Sequence, residues 1–539
     1  MEDRAMMKYP IGVQSFEKIR EDGFAYVDKT DLIYRLTHEG NIYFLSRPRR
    51  FGKSLLVSTL KNYFLGRKEL FEGLAISSLE KEWLEYPVFH IDFNGSNFTD
   101  PGALDLKIEN YISEWEGIYG GPDKEMKAGD RFACVLKKAH ERTGRRCVVL
   151  IDEYDKPMLD VLDTGYTKTV DGKQRLLEEW NRDVLKGFYS VFKAADADLQ
   201  FVLLTGVTKF AQVSVFSGFN QPQDISMASD YETLCGITQE ELESYFAEPI
   251  DVMAASFGES REEMLSRLKR HYDGYHFSER MTDVYNPFSL LNAFAQKAVR
   301  DYWFASGTPT YLIRLLSHSD ENLDELTGKY YDPSQFVDYK ADVEKPLPMI
   351  YQSGYLTIKD YRQNRNTFLL DIPNNEVKKG FVSLIASDYF KNRSNDVSSW
   401  IQDLLDAFED GETDRIRDLF TSFLADIPYT VRRREDERER ERYFQYTFYL
   451  ILRMVSVYLT CVERPQSQGR VDCTVETPKY VYVFEFKLDG TADEALAQIE
   501  AKGYARPYAA DSRTVWCIGV SFSSETGTVG EWISHQNVK

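Results

Sequence analysis

The sequence predicts an α/β fold built on a parallel sheet, followed by a helical middle region and a smaller α/β region at the C-terminal end. Between residues 41 and about 205, short apolar runs alternate with longer amphipathic segments, as in proteins whose helices cover both faces of a parallel sheet. Four apolar runs predict strands: Ile42–Leu45, Val88–Phe93, Cys147–Ile151 and Phe201–Leu204. The segments Leu55–Phe64 and Arg175–Ala194 repeat apolar residues at every third or fourth position, which predicts helices between the strands.

The pattern becomes mainly helical beyond residue 225. The segments Thr238–Phe257 and Arg261–Tyr272 predict amphipathic helices of a lid, and Val397–Leu424 predicts further helices. Residues 351–358 and 366–370 predict two strands joined by a charged turn, a hairpin attached to helices as in a winged-helix module. We therefore expect three domains, with the bounds 1–225, 226–395 and 396–539.

The composition indicates a globular protein of a reducing compartment. The 539 residues are 43% hydrophobic, and the six cysteines show neither Cys-x-x-Cys nor the Cys/His spacing of a zinc site. No apolar stretch near the N-terminus is long enough for a signal peptide, so we expect a cytoplasmic protein without membrane contact. Only Tyr443–Val462 is apolar enough to suggest a membrane span, and Arg453 and Gln445 within it favour a buried helix.

The charge balance restricts how this protein can bind nucleic acid. Lys and Arg number 66 against 86 Asp and Glu, which gives a net charge of -20. This balance argues against coating a polyanion with a broadly basic surface. Any nucleic-acid site must therefore be local.

A phosphate-binding motif, Arg47-Pro-Arg-Arg-Phe-Gly-Lys-Ser54, lies between the first predicted strand and the first predicted helix. Its Gly52 lets the backbone close on phosphate oxygens, Lys53 meets the β/γ charge, and the Ser54 hydroxyl can ligate magnesium. The general motif begins with glycine, where this chain has Arg47. The alternative is therefore a basic turn before an ordinary helix.

A second acidic motif strengthens the nucleotide hypothesis. The run Cys147-Val-Val-Leu-Ile-Asp-Glu153 predicts a buried strand that ends in two acids. In such a site Asp152 supports magnesium and Glu153 polarises the attacking water. Asp152 alone would fit a strand-end cap, but the two motifs in this order predict ATP binding and hydrolysis. Thr205, at the end of a later strand, is either a sensor of the γ-phosphate or an ordinary strand-end hydroxyl.

These motifs make residues 8 to about 300 resemble the AAA-ATPase-like family of bacterial P-loop proteins. The resemblance rests on Tyr26-Val-Asp-Lys-Thr30, the phosphate-binding motif, Leu150-Ile-Asp-Glu-Tyr-Asp155, Thr205-Gly-Val-Thr208 and Tyr272-Asp-Gly-Tyr275. An arginine at the position of the first glycine is normal in that family. The resemblance implies ATP binding by Gly52, Lys53 and Ser54, with Asp152 and the catalytic Glu153 completing the site. Arg49, Arg50, Phe51, Leu55 and Thr205 are further candidates for ATP binding. The two loop arginines fit a structural role equally well.

A carboxylate-rich hairpin is predicted near the C-terminus. The runs Gly469–Val475 and Tyr480–Lys487 read as two strands. Strand alternation places Glu485 and Lys487 on one face, and a two-residue turn at Pro478-Lys479 sets Asp472 opposite Glu485. The two acids can hold a divalent metal ion, and Lys487 can orient or deprotonate the attacking water.

The alternative reading of this hairpin is an ordinary surface pair of Glu485 and Lys487. Such a pair contributes less than about 1 kcal/mol. A strand register shifted by one residue would also separate Asp472 from Glu485. The short pattern by itself favours this ordinary reading.

The hairpin and its flanks are similar to the core of the PD-(D/E)XK nucleases, in which a helix with an acid precedes a hairpin carrying D and E-x-K and another helix follows. Glu441 would supply the preceding acid, although Glu435, Glu437 and Glu439 lie close by, and Ala492–Tyr504 would be the following helix. Gln498 and Tyr504 resemble residues that some members place beside the scissile strand. The resemblance implies Glu441, Asp472 and Glu485 as metal ligands, Lys487 as a catalytic residue with Asp472 and Glu485, and nucleic-acid contacts by Gln498 and Tyr504.

Together these features predict an ATPase fused to a nuclease-like domain. ATP and Mg²⁺ are the expected cofactors, with Mn²⁺ as a second metal for the nuclease-like site, and DNA or RNA is the expected substrate. The chain is also compatible with a homo-oligomer. Two alternatives stay open: an ATP-switched binding or signalling protein whose nuclease-like domain does not cut, and an ATPase that acts on protein while the C-terminal domain is vestigial.

Overall fold

The protein is described by a computed structural model. The structure describes residues 7–210, 222–306, 311–312, 326–339, 345–381, 396–425, 460–462, 465–466, 469–470, 473–523, 526 and 528–536. Contacts divide the chain into two compact units, Met1–Lys378 and Lys379–Lys539. The three-domain division with the bounds 1–225, 226–395 and 396–539 stays a prediction.

The first unit is built on a parallel sheet, with smaller antiparallel sheets added to it. Its strands are β1 Ile42–Ser46, β2 Val88–Asp92, β3 Cys147–Asp152, β4 Thr167–Val170, β5 Lys173–Leu176, β6 Leu199–Gly206, β7 Gln223–Asp224, β8 Ile237–Thr238, β9 Val284–Tyr285, β10 Lys329–Tyr331, β11 Thr357–Arg362 and β12 Thr367–Asp371. The five-stranded sheet has the order β2-β3-β6-β1-β7, and every pairing in it is parallel. The four predicted strands are thus confirmed, and the carboxyl ends of β1, β3 and β6 lie side by side.

Helices surround this sheet. Those described in the first unit are α1 Phe16–Glu21, α2 Thr30–Glu39, α3 Lys53–Phe64, α4 Ile76–Leu79, α5 Ala103–Tyr119, α6 Ala128–Thr143, α7 Lys156–Leu159, α8 Leu177–Tyr189, α9 Val191–Ala194, α10 Gln239–Tyr245, α11 Ala247–Phe257, α12 Arg261–Tyr272, α13 Pro287–Gln296, α14 Tyr302–Ala305 and α15 Leu347–Gln352. The edge strand β2 alternates between buried and half-buried residues, whereas the three inner strands of the sheet, β3, β6 and β1, are almost fully buried, including all six residues of β3. This burial on both faces explains why their sequences are continuous apolar runs.

Two predicted helices of this unit differ from the observed ones. Thr238–Phe257 forms two helices because Pro249, near the start of α11, has no N–H to continue the hydrogen bonds of α10. Within Arg175–Ala194, Arg175 and Leu176 belong to strand β5, and the helix begins at Leu177. The helix predicted over Arg261–Tyr272 forms with those bounds, and the side chain of Ser260 caps it.

The predicted hairpin of the middle region is present as β11 and β12, which pair antiparallel, and β10 adds a third strand. The prediction was wrong at its start, because Tyr351 and Gln352 end helix α15. Gly354 then turns the chain with a φ of +90°, a left-handed conformation that favours glycine, and β11 begins at Thr357.

The second unit has a five-stranded sheet with helices described on both of its faces. Its elements are α16 Asp396–Asp410, α17 Thr413–Ala425, β13 Thr460–Val462, β14 Pro465–Gln466, β15 Gly469–Arg470, β16 Cys473–Glu476, β17 Tyr480–Leu488, α18 Ala492–Lys502, β18 Thr514–Ser523 and β19 Thr528–Gln536. The sheet order is β13-β16-β17-β18-β19, and only β17 and β18 pair in parallel. Val397–Leu424 is helical as predicted, apart from a break at Gly411 and Glu412.

The helix predicted over Tyr443–Val462 is wrong for its last three residues, which form β13 because their backbone pairs with β16. Residues 443–459 lie outside the described residues. Among the helices that are described, none has the length and apolar character needed to cross a membrane.

Candidate functional site

The phosphate-binding motif forms the turn between β1 and α3. Gly52 has a φ of +95° and Arg50 a φ of +68°, so the backbone reverses tightly before Lys53 begins the helix. The Lys53 ammonium is buried and donates to the carbonyl oxygens of Arg47, at 3.0 Å, and Pro48, at 3.2 Å. The loop therefore holds its lysine through its own backbone, beside the amino end of a twelve-residue helix.

Arg47, which replaces the first glycine of the general motif, is a buried structural residue. Its guanidinium donates to the carbonyl oxygens of Ser46, Ser226 and Tyr231, at 2.7 to 3.2 Å. It also lies 4.1 Å above the ring of Phe277. Burial lowers the pKa of Arg47. This arginine joins the start of the phosphate loop to segments that follow the central sheet.

The acidic motif lies at the end of β3, next to β6. Asp152 is buried and accepts a 2.6 Å hydrogen bond from the hydroxyl of Thr205. Glu153 has a φ of +54°, and its carboxylate lies 3.6 Å from the Lys53 ammonium. The two motifs are therefore brought together, and Thr205 contacts the acid predicted to support magnesium.

Asp155, at the end of the same motif, organises the segment after β6. Its carboxylate accepts hydrogen bonds from the backbone N–H groups of Val207, at 2.9 Å, and Thr208, at 2.6 Å, and from the Thr208 hydroxyl at 2.8 Å. Burial and the neighbouring Glu153 raise the pKa of Asp155. The motifs Leu150–Asp155 and Thr205–Thr208, which both contribute to the family resemblance, are thus joined by hydrogen bonds at one edge of the sheet.

A cavity of about 380 Å³ opens on this edge. The predicted site residues in its wall are Arg49, Arg50, Gly52, Lys53, Ser54, Leu55 and Glu153. Asp152 and Thr205 are buried and do not line the cavity. Phe51 does not line it either, because its ring packs on Tyr275 and Phe277, at 4.8 and 5.5 Å between centroids.

The rest of the wall comes from segments that no motif marked. These wall residues are Pro10, Ile11, Gly12, Val13, Gln14, Asn94, Lys156, Pro287, Phe288, Leu291, Trp303, Phe304, Ser306, Ser353 and Tyr355. The guanidinium of Arg50 lies 4.9 Å above the ring of Phe288. The aromatic residues among them fit an ordinary core equally well, so the sequence held no specific signal for them.

The E-x-K strand of the second unit forms a polar cluster with the helix that follows it. Lys487 donates to the side-chain oxygen of Gln498 at 2.8 Å and lies 3.4 Å from the Glu485 carboxylate. The amide of Gln498 also donates to Glu485. Glu485 is buried. The face predicted for Glu485 and Lys487 is confirmed, and Gln498 completes the cluster.

The hairpin register agrees with the predicted two-residue turn. Cys473 pairs with Phe484 and Glu476 with Val481, so Pro478 and Lys479 lie at the tip. Asp472 and Glu441 lie outside the described residues. Within the part of the chain that the structure describes, no group of three or more His, Cys, Asp or Glu side chains is placed to hold a metal ion.

Tyr504 is placed in the core rather than beside the polar cluster. It is 2% exposed and belongs to the apolar group formed by helix α18 and the sheet, with Val481, Val483 and Ile499. The opposite face of β17, with Tyr482 and Phe484, packs against the group that includes α16 and α17. A nucleic-acid contact by Tyr504 stays a prediction that this burial does not favour.

Comparisons with known proteins identify the two domains that carry these residues. Residues 10–216 match the family described as predicted AAA-ATPase, and residues 439–532 match the PD-(D/E)XK nuclease superfamily. The chain therefore belongs to the AAA-ATPase-like family of P-loop proteins and carries a C-terminal domain of the PD-(D/E)XK nuclease superfamily.

A full-length relative is known from Azotobacter chroococcum mcd 1, where it is described as an uncharacterized protein in the vnfD 5′ region. The two chains are 35% identical over 527 residues, which cover 97% of this chain and 98% of the relative. A solved structure of the Aeropyrum pernix ORC1 protein in complex with DNA aligns with 65% of this chain and 91% of its own, at 11% identity. The TM-score of this alignment is 0.23.

Proposed function

We propose that this protein binds and hydrolyses ATP, and that ATP controls a metal-dependent nuclease site in its C-terminal domain. The observation that carries the proposal is the cavity in which Lys53, Ser54 and Glu153 meet beside the buried Asp152. The cluster of Glu485, Lys487 and Gln498 supports the nuclease half.

The cavity residues fit a magnesium-bound nucleoside triphosphate. Three cationic side chains of the loop, Arg49, Arg50 and Lys53, line the cavity together with the Ser54 hydroxyl. Ser54 and Asp152 would hold a magnesium ion, which would offset the negative charge of the phosphates. Lys53 would exchange its loop carbonyls for phosphate oxygens, and Glu153, 3.6 Å from Lys53, would orient the attacking water. Thr205 would keep Asp152 in position through its 2.6 Å hydrogen bond.

The residues of the second unit fit a hard divalent cation. Glu485 is a buried carboxylate, and Asp472 immediately precedes Cys473, which pairs with the residue before Glu485. A metal ion held by Asp472, Glu485 and Glu441 would lower the pKa of bound water and offset charge on a phosphodiester. Lys487 would orient the attacking water, and Gln498 would hold Lys487 and Glu485 in place or contact the scissile strand.

The charge of the chain predicts how nucleic acid would bind. With a net charge of -20, the protein repels a polyanion at long range, and a metal ion with a few local cations must overcome this repulsion. We therefore expect weak binding of DNA or RNA that depends on metal and weakens with salt.

The test is a cleavage assay on DNA and RNA with Mg²⁺ or Mn²⁺, with and without ATP, on wild type and the Lys53→Ala and Lys487→Ala variants side by side. We expect Lys487→Ala to abolish cleavage and keep ATP hydrolysis. Lys53→Ala should lower ATP hydrolysis by about 100-fold or more and remove the effect of ATP on cleavage.

Two results contradict the nuclease half: no cleavage by wild type, or undiminished cleavage by Lys487→Ala. ATP-dependent partner binding without cleavage would instead support the switched binding protein, which the acidic net charge favours. ATP hydrolysis that Lys53→Ala leaves unchanged contradicts the ATPase half.

A further inference from the structure

Two segments that follow the lid in sequence form one side of the nucleotide cavity. Trp303, Phe304 and Ser306 belong to the first, and Ser353 and Tyr355 belong to the second. None of these residues is part of a nucleotide-binding motif. Both segments nevertheless contact the phosphate loop, at different residues.

Trp303 is hydrogen-bonded to the phosphate loop. Its indole N–H donates to the carbonyl oxygen of Arg49 at 3.0 Å, and the residue is 6% exposed. The backbone N–H of Trp303 donates at 2.6 Å to the carboxyl group of Glu376, which is also buried. One tryptophan thus joins the loop that would bind phosphate to a residue near the end of the first unit.

The second segment packs directly on the same loop. A Cβ atom at Gly354 would lie 2.7 Å from the Cβ of Pro48, so only glycine allows this approach. The Ser353 hydroxyl lies 3.1 Å from the Tyr311 hydroxyl, and the rings of Tyr355 and Trp303 are 5.1 Å apart. The two segments therefore form one continuous wall.

This wall is connected to both ends of the hairpin β11–β12. Strand β11 begins at Thr357, two residues after Tyr355. The Thr357 hydroxyl accepts a hydrogen bond from the backbone N–H of His276 at 2.8 Å and donates one to the His276 carbonyl oxygen at 3.0 Å. Strand β12 ends at Asp371, shortly before Glu376, the partner of Trp303. A displacement of the phosphate loop therefore has a short covalent and hydrogen-bonded route to each end of the hairpin.

We infer that Trp303 is a positioning residue for the phosphate loop and that the wall of Trp303, Ser353, Gly354 and Tyr355 couples nucleotide occupancy to the β11–β12 hairpin. The inference rests on the proposed ATP site. A ligand can shift the hairpin only if it changes contacts that the hairpin shares, and the Trp303–Arg49 and Gly354–Pro48 contacts are the shared ones. The loop carbonyl of Arg49 is one residue from Pro48, so both contacts respond to the same backbone movement.

The experiment measures hydrogen exchange of peptides covering β11 and β12 with ADP and with a non-hydrolysable ATP analogue, and the affinity for both nucleotides. The variant is Trp303→Phe, which keeps an aromatic ring in the wall and removes the indole N–H. Trp115→Phe is the matched control, because Trp115 is equally buried and packs on Phe89 and Phe132 away from the cavity.

In wild type we expect the ATP analogue to slow exchange in β11 and β12 more than ADP does. Trp303→Phe should weaken binding of the analogue about 3- to 10-fold, the loss expected for one hydrogen bond, and should abolish the exchange difference even at saturating nucleotide. Trp115→Phe should change neither. If wild type binds no ATP analogue, the proposed function fails and the inference with it. If it binds, but Trp303→Phe keeps both the affinity and the exchange difference, or wild type shows no difference, only the inference is overturned.

Discussion

The two candidate sites each bring a lysine close to a glutamate, but they bury opposite members of the pair. In the first unit the Lys53 side chain is 4% exposed and Glu153 15%, whereas in the second unit Lys487 is 30% exposed and Glu485 2%. A buried charge requires an opposite charge or strong hydrogen bonds close to it. The first site is thus suited to an anionic ligand such as phosphate, and the second to a cationic ligand such as a divalent metal ion.

The two lysines are also held by different means. Lys53 donates to backbone carbonyls of its own loop, so its position follows from the local turn. Lys487 donates to Gln498, so its position depends on how α18 packs on the sheet. Gly519 in β18 permits that packing, because a Cβ there would overlap the carbonyl oxygen of Ala492. The position of Lys53 within its own loop is therefore set by local geometry, whereas the position of Lys487 depends on the tertiary fold.

The largest effect is expected from Glu485→Gln, which tests whether the buried charge of the second site serves to bind a cation. The substitution keeps the size of the side chain and one acceptor oxygen, but it replaces the other oxygen by an NH2 donor and removes the buried negative charge. We expect cleavage to fall by about 100-fold or more and metal affinity in calorimetry to fall with it, while ATP hydrolysis is unchanged. The control is Glu476→Gln in the same hairpin, where the carboxylate pairs with Arg513 instead. Unchanged metal affinity in Glu485→Gln would contradict the assignment of the second site to a cation.

The next effect concerns the arginines of the phosphate loop. Arg47→Gly, which restores the general motif, should destabilise the first unit by about 2–4 kcal/mol, because carbonyls of Ser226 and Tyr231 lose their donor and a cavity forms. Arg50→Gly should change the free energy of unfolding by no more than about 0.5 kcal/mol, since Arg50 is exposed and its positive φ suits glycine.

Hydrogen exchange of peptides from α3 measures the stability of the loop and helix in both variants. Equal losses of stability in Arg47→Gly and Arg50→Gly would show that Arg47 does not anchor the loop. A loss confined to Arg47→Gly would show that this loop, despite its local geometry, is anchored to segments after the sheet.

The smallest effect is a pH dependence confined to the first unit. Burial raises the pKa of Glu376 to about 8 from an ordinary value of 4.5, so the folded state keeps a proton that the unfolded state releases. The stability contributed by this group is complete below pH 4.5 and is lost as the pH rises toward 8.

Glu376→Gln should therefore flatten the decline of unfolding free energy with pH, by about 1 kcal/mol between pH 6 and 7. Denaturant unfolding at several pH values measures this slope. The control is Glu279→Gln at an exposed position. An unaltered slope in Glu376→Gln would show that Glu376 is ionised in the folded protein.

Much of both sites followed from local sequence patterns. The phosphate loop, the acidic end of β3 and the alternation of Glu485 and Lys487 depend on short-range geometry, and each lies where its pattern predicts. Predictions failed where a local pattern fits two structures. Tyr351 and Gln352 have strand-like neighbours but end a helix. Strands β18 and β19 were not predicted, because β18 forms by pairing with β17 and β19 by pairing with β18.

The sequence by itself determined the family, the phosphate loop and the E-x-K strand, because these depend on residue types at fixed short spacings. Only the tertiary structure decided that Arg47 holds the phosphate loop to segments after the sheet and that Phe51 lies in the core. It also decided that Trp303 and Tyr355 line the cavity beside the phosphate loop. Contacts between residues hundreds of positions apart depend on how the whole chain packs, and no local spacing records them. For the same reason, the sequence alone could not show that the two Lys–Glu pairs bury opposite charges.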